Sequence, residues 1–162
     1  MRLSFTLAVA GAVAGLPAYA APVYNAPADV QEITQLEQSN AIELDPAKVG
    51  PVYASNVVVY DINYPGRYKG RSQIMAAAGP RLQAMKQIAA HFGSISVFSD
   101  CTMACAAMQI AFAVTLQNGD KKQSSLRQLD ALRKVGGKWL IEQEHISYLA
   151  DPKTGMSLMN LP

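Results

Sequence analysis

The ten residues Lys138-Trp139-Leu140-Ile141-Glu142-Gln143-Glu144-His145-Ile146-Ser147 have the composition of a β-strand, yet ionisable groups fall on both of its alternating faces. Glu142 and Glu144 share one face, and His145 belongs to the other. A carboxylate inside an apolar enclosure has its pKa raised toward neutrality and can then move protons; a histidine titrates in that range unaided. A further carboxylate, Asp61, follows the run VVVY just ahead of Tyr64-Pro65-Gly66. It either works as such a group, caps the turn, or pairs with Arg67 or Arg71. Tyr53, Tyr60, Tyr64 and Tyr68 lie within sixteen positions and offer ring walls and hydroxyl donors to a small ligand, although core packing accounts for Tyr53 and Tyr60 equally well. Cys101 and Cys105 either close a disulfide across a tight strand connection or stay as two thiols. Two thiols without clustered histidines make no metal site, and neither a phosphate-binding glycine loop nor a nucleophile elbow is present, so no metal or cofactor is expected.

These groups need elements to hold them. Asp29 reads as the N-cap of a first helix, with Val30, Ile33, Leu36 and Glu37 at helical spacing, and Asp45-Pro46 opens a second that reaches about Tyr53. Residues 57–62 form a strand, Tyr68-Lys69 a brief extended piece. A third helix starts at Gly70-Arg71-Ser72, passes Gly79-Pro80 and continues through LQAMKQIAAHF, placing His91 near its C-terminal end, where the dipole favours it. Strands follow over about 94–99, 105–117, 123–134 and 138–148. Val135-Gly136-Gly137 reads as a three-residue loop that pairs Lys134 with Lys138. That register sets Arg133 with Trp139, Ala131 with Ile141, Leu129 with Gln143 and Arg127 with His145 on one face. Leu132 with Leu140, Asp130 with Glu142, Gln128 with Glu144 and Leu126 with Ile146 occupy the other. Both faces mix apolar and ionisable groups, so both are expected to be covered, one by helices and a pocket and one by a second subunit.

The chain has 162 residues, half of them apolar, which suits one domain with one core. Residues 1–20, with basic Arg2, an apolar run from Leu3 to Leu16 and the site Ala18-Tyr19-Ala20, have the form of a cleaved secretory signal peptide. The run is broken by glycines and Pro17 and is too short to span a bilayer, so no membrane span is expected after cleavage. The mature chain then begins at Ala21 with a flexible lead-in over 21–28, followed by one domain over 29–162, and is periplasmic or secreted. Its formal charge falls from +2 to +1 with loss of the leader, which argues against nucleic acid as a partner.

The element order and the phrase RKVGGKWLIEQEHIS resemble the nuclear transport factor 2-like superfamily, and the SnoaL-like proteins in particular. R-x-L-D-x-x-R-K-x-x-G-K-W…H-x-S, over Arg127 to Ser147, is also similar to the last hairpin of the association domain of calcium/calmodulin-dependent kinase II. The resemblance implies an α+β cone, with three N-terminal helices packed on a strongly curved, mostly antiparallel sheet, and homodimerisation through the sheet's outer face. YASNVVVYDINYPGRYKGRSQI, Tyr53 to Ile74, resembles the ketosteroid isomerase segment that carries the general-base aspartate, which implies that role for Asp61. The isomerases' two oxyanion donors, a tyrosine and a protonated aspartate, match Glu37 and either Asp130 or Leu129; glutamate donates only when protonated. In these families the last strand lines the cavity at positions matching Glu142, Glu144 and Ile146, and an acid near Glu144 is the base of SnoaL-like cyclases.

From this resemblance Asp61, Glu144 and Asp130 are the expected catalytic residues. Glu37, Tyr53, Tyr60, Tyr68, Leu132, Leu140, Glu142 and Ile146 are expected around the ligand, with Arg127, Trp139 and His145 at the subunit contact or structural. Two functions remain open. One is an exported protein that binds a small apolar or carbonyl-bearing molecule, with isomerase, dehydratase or cyclase chemistry; the other is a non-catalytic ligand-binding or dimeric assembly module.

Overall fold

Pro27 begins helix α1 (Pro27–Asn40) at a position whose missing N–H has no helical partner to lose, and the helix turns Ile33 and Glu37, one turn apart, toward the interior. The structure, a computed structural model, describes residues 24–156; the expected leader lies outside them. Asp29 is not the cap but a buried member of the first turn, where it takes Lys134 Nζ at 2.7 Å. The last residues of the expected lead-in are tied down: Asn25 N–H donates to the Ser99 carbonyl at 2.9 Å and Asn25 Oδ1 accepts from Ser99 N at 3.0 Å. Asp45 caps the short helix α2 (Pro46–Val49) by accepting from Ala47 N at 2.9 Å. A 3-10 turn, Gly50–Val52, then feeds strand β1 (Tyr53–Tyr60), and strand β2 (Tyr68–Lys69) turns back on it.

Helix α3 (Arg71–Ala84) follows Gly70, whose φ of 82° and close approach to the Ser55 carbonyl suit glycine. The helix ends earlier than its composition suggests. Met85–Phe92 is not helical but the first half of strand β3 (Met85–Ser99), so His91 stands exposed in mid-strand. Ile88, Ala90 and Phe92 fit period two as well as a helical face, and pairing along strand β4 (Met103–Leu116) decides between them. Strands β5 (Lys121–Val135) and β6 (Lys138–Tyr148) complete a six-stranded sheet in the order β2-β1-β6-β5-β4-β3. It is curved and unclosed, and only β1 with β6 is parallel. Register breaks at Met85/Gln87 and Phe92/Ser94 supply extra bend to its long outer arm.

The β5–β6 hairpin departs from the expected register twice. Its loop has two residues, Gly136 and Gly137, at φ 58° and 80°, which fits a type I′ turn and pairs Val135 with Lys138. Further on, Leu132 faces Ile141 but Ala131 faces Gln143, leaving Glu142 as an extra residue. This bulge exchanges the inward and outward parities along β6. Trp139 and Ile141 point into the core ahead of it, 4 % and 0 % exposed, whereas Glu144 and Ile146 point inward beyond it. Trp139, expected on the outer contact face, therefore packs in the core, with Lys134 Nζ 5.3 Å from its ring centroid. Glu142, expected in the pocket, instead accepts from Arg133 Nε at 2.6 Å in a partly exposed ion pair.

Candidate functional site

Helices α1 and α3 lie over the concave face of the sheet because each presents apolar residues at helical spacing to it: Ile33 from α1 and Ile74 from α3 join Val57, Val59, Met108 and Ile110 in one core. The packing leaves a cavity of about 180 Å³. Val59, Ile74, Ile110 and Ile146 furnish apolar wall, and Glu37, Tyr53, Asp61, Arg81, Gln128 and Glu144 bring polar groups to it.

Four elements converge on its acidic side. Tyr53, at the start of β1, donates its hydroxyl to Glu144 Oε2 at 3.0 Å. Its backbone carbonyl is gripped by Arg71, which donates through Nε at 2.8 Å and through Nη2. Gln128 on β5 donates Nε2 to Asp130 Oδ2 at 2.7 Å and to Glu144 Oε2 at 3.3 Å. Directly across the ladder from Glu144, Asp130 is fully buried, and its carboxyl interacts with that of Glu37 on α1. Two buried carboxyls side by side resist ionising together. Glu37 Oε1 and Asp130 Oδ1 have no hydrogen-bond partner among the described residues.

Burial sets the protonation of this group. It pushes Glu37 from 4.5 to about 7, with the Asp130 bond pulling it down and the Glu144 charge adding to the rise. Asp130 is raised well above the usual carboxylate range, first by burial and then by Glu37. Glu144 is raised likewise, by burial and the Asp130 charge, against the hydrogen bond from Tyr53. Tyr53 is itself pushed up by burial and by Glu144 and Asp130.

Asp61 behaves in the opposite way. Burial pushes it up, but Arg81 Nη2 at 2.7 Å and the Asn63 backbone N–H at 2.8 Å outweigh that and hold it below its ordinary value. The Asn63 side-chain amide adds a bond at 2.7 Å. Asp61 thus lines the cavity as an ionised carboxylate rather than as a base of raised pKa, and its partner is Arg81, not Arg67 or Arg71.

Of the expected site residues, Glu37, Tyr53, Glu144, Asp61 and Ile146 meet at the cavity, and Asp130 is buried outside its lining. Others do not. Leu132 is core, and Leu140 is half-buried on the alternate face of β6 from Trp139 and Ile141. Tyr60 is 45 % exposed with its ring 6.0 Å from His145, and Tyr68 stacks on Tyr64 at 4.9 Å, away from the cavity. Arg127 and His145 line a shallow groove on the outer face of the sheet with Leu129. No disulfide joins Cys101, in the β3–β4 loop, to Cys105 on β4.

Arg81 and Gln128, which also line the cavity, were not among the expected site residues. Both had a signal: Ile74, Ala78, Arg81 and Leu82 share one helical face, and Gln128 shares a strand face with Asp130. Among the described residues no cluster of His, Cys, Asp and Glu suits a metal ion, and no helix is long and apolar enough to cross a membrane.

The SnoaL-like domain family matches residues 33–151. No curated protein sequence matches the chain. Solved structures do. A Xanthomonas campestris protein described as a calcium/calmodulin dependent protein kinase II association domain is similar at TM-score 0.66 and 25% identity, over 87% of this chain and 95% of that one. A nuclear transport factor 2-like protein of unknown function from Pseudomonas putida KT2440 gives 0.68 and 20% over 85% and 98%. A Novosphingobium aromaticivorans protein described as a scytalone dehydratase gives 0.68 and 14% over 84% and 90%. With a family match across all but the edges of the described domain, the chain belongs to the SnoaL-like domain family, and its three helices on a curved open sheet have the nuclear transport factor 2-like fold of these structures.

Proposed function

We propose that the protein binds a small, largely apolar molecule with one polar end in the cone, and that Glu144 transfers a proton to or from it. The observation that carries this reading is the placement of Glu144. Its carboxyl is buried, reaches the cavity, and is oriented by Tyr53 at 3.0 Å and Gln128 at 3.3 Å. A cavity of about 180 Å³ is below the ~300–1,000 Å³ usual for drug-sized ligands, so a single ring or short chain bearing a carbonyl fits better than a fused-ring molecule. The test is deuterium exchange at the acidic carbons of cyclohex-2-enone in D2O, followed by NMR. Wild-type protein should accelerate it and Glu144→Gln should not; equal rates for the two would remove Glu144 from the chemistry.

One observation favours a binding module without turnover. Asp61, the expected base, already accepts from Arg81 and twice from Asn63. On that reading the probe binds, seen by saturation transfer, and no exchange occurs.

The same proposal gives the chain a second copy on the outer sheet face beside Arg127, His145 and Leu129, and the 48 % exposure of Leu129 supports it. Native mass spectrometry should report a dimer that Leu129→Lys weakens. Export through the leader at 1–20 belongs to the same proposal, and the mass of the protein recovered from cells should begin at Ala21.

A further inference from the structure

We infer that the molecule bound in the cone carries a protonated primary amine, and that Glu37 and Asn40, on one face of helix α1, receive it. This rests on the reading of the cone as a ligand pocket and adds the chemical class of the ligand's polar end.

Among the described residues that line the cavity, every buried side-chain atom without a hydrogen-bond partner is an acceptor: Glu37 Oε1 and Asn40 Oδ1. Glu37 is only 2 % exposed. The orientation of Asn40 follows from its neighbour. Because the Tyr53 hydroxyl gives its proton to Glu144, the Asn40 side chain, which interacts with that phenol, meets it through its NH2 and turns Oδ1 away.

The donors of the lining are already committed. Tyr53 serves Glu144, Gln128 serves Asp130 and Glu144, and Arg81 serves Asp61 at 2.7 Å. Glu43 also has its partners, accepting from the backbone N–H groups of Leu44 and Asp45 at 3.0 and 2.9 Å. Arg81 is the one basic side chain among the described residues of the lining, so the Glu37 carboxyl, buried beside Asp130, meets neither a donor nor a positive charge from it.

Buried acceptors left in this way cost stability until a donor reaches them. An ammonium brings three N–H donors and a full positive charge in one compact group, enough for Glu37 and Asn40 together. A hydroxyl brings one donor and no charge, and a carboxylate brings neither. No cluster of side chains among the described residues suits a metal ion. Val59, Ile74, Ile110 and Ile146 leave the rest of the molecule an apolar wall, and about 180 Å³ holds one small ring beside the amine.

Cyclohexylamine, cyclohexanol and cyclohexanecarboxylate share one ring and differ in the polar group, so their dissociation constants, measured by NMR titration of the full chain at neutral pH, test this. Cyclohexylamine should bind about tenfold or more tighter than either of the others. Glu37→Gln should weaken the amine by about tenfold or more and leave cyclohexanol within about twofold; Asn40→Leu should weaken the amine by a smaller factor. Should Glu37→Gln fail to fold, the Glu37 carboxyl carbon of the wild type supplies the reading, since cyclohexylamine should shift its resonance and cyclohexanol should not. Cyclohexanol binding as tightly as the amine, or amine binding that Glu37→Gln leaves unchanged, overturns the inference while the pocket function stands. A cone that takes none of the three probes, nor cyclohex-2-enone, overturns both.

Discussion

The Tyr53 hydroxyl and Glu144 Oε2 lie 3.0 Å apart, joining two residues separated by 91 positions in the chain. The resemblance to ketosteroid isomerases looks for a phenol on the first helix and finds Glu37 there. A phenol nevertheless reaches the acidic side of the cavity, from the start of β1. Tyr53→Phe leaves Glu144 with Gln128 as its remaining donor at 3.3 Å. The loss of a hydrogen bond to a buried carboxyl should lower stability by about 1–3 kcal/mol, read as a lower urea midpoint at unchanged slope. The Glu144 titration should move further up, because its strongest stabilising donor is gone.

Stability should fall as pH rises through the weakly acidic range. Glu37 is raised from 4.5 to about 7 in the folded protein, so between those values the folded state binds more protons than the unfolded state. Its contribution is fully present below 4.5 and lost as pH climbs to about 7, amounting to roughly 3 kcal/mol on the scale of 1.36 kcal/mol per unit. Glu37→Gln should flatten this limb in denaturant titrations between pH 4.5 and 7.5; a limb of unchanged slope would assign it to Asp130 or Glu144 instead.

Asp61 should act on the other side of the scale. Its folded pKa is depressed, so its stabilising contribution is present above the ordinary value of 3.8 and lost as pH falls below it. Arg81→Met removes the 2.7 Å ion pair while leaving the burial. The Asp61 carboxyl should then titrate at higher pH by carbon NMR, and the acid limb of the stability curve should shrink.

The β6 bulge predicts that Trp139 matters to the fold. On an outer face, Trp139→Ala would be mild; in the core, at 4 % exposure, it should cost about 3–5 kcal/mol in chemical denaturation.

The glycine turn gives an independent check on the hairpin. Gly136 has φ 58° and open space where a side chain would stand, so Gly136→Asn should be nearly neutral while Gly136→Val costs about 1–2 kcal/mol of backbone strain, visible as a lower Tm.

Much of the scaffold is written locally. Asp45-Pro46 opens a helix, Tyr68-Lys69 extends, Gly136-Gly137 turns, and β5 and β6 end close to where composition and turn residues place them. These depend on backbone propensity within a few residues, which the chain carries in its order. The early end of α3 does not: Met85–Phe92 fits two periods, and only the ladder with β4, a separate stretch of the chain, selects the strand.

The site divides in the same way. That Asp61, Glu37, Asp130 and Glu144 were candidates followed from residue type and family resemblance. Which of them burial pushes up and which an ion pair holds down followed from the tertiary structure alone. Arg81, twenty positions from Asp61, makes that carboxylate an ionised partner, whereas Glu37 and Asp130, buried beside each other, are both raised above the usual carboxylate range. One inserted residue at Glu142 turns Trp139 into core and keeps Glu144 facing the cavity. Sequence order determined what each short segment prefers to be; long-range packing decided which way its side chains face and what they face, because register, burial and electrostatic fields arise only once distant segments share the same space.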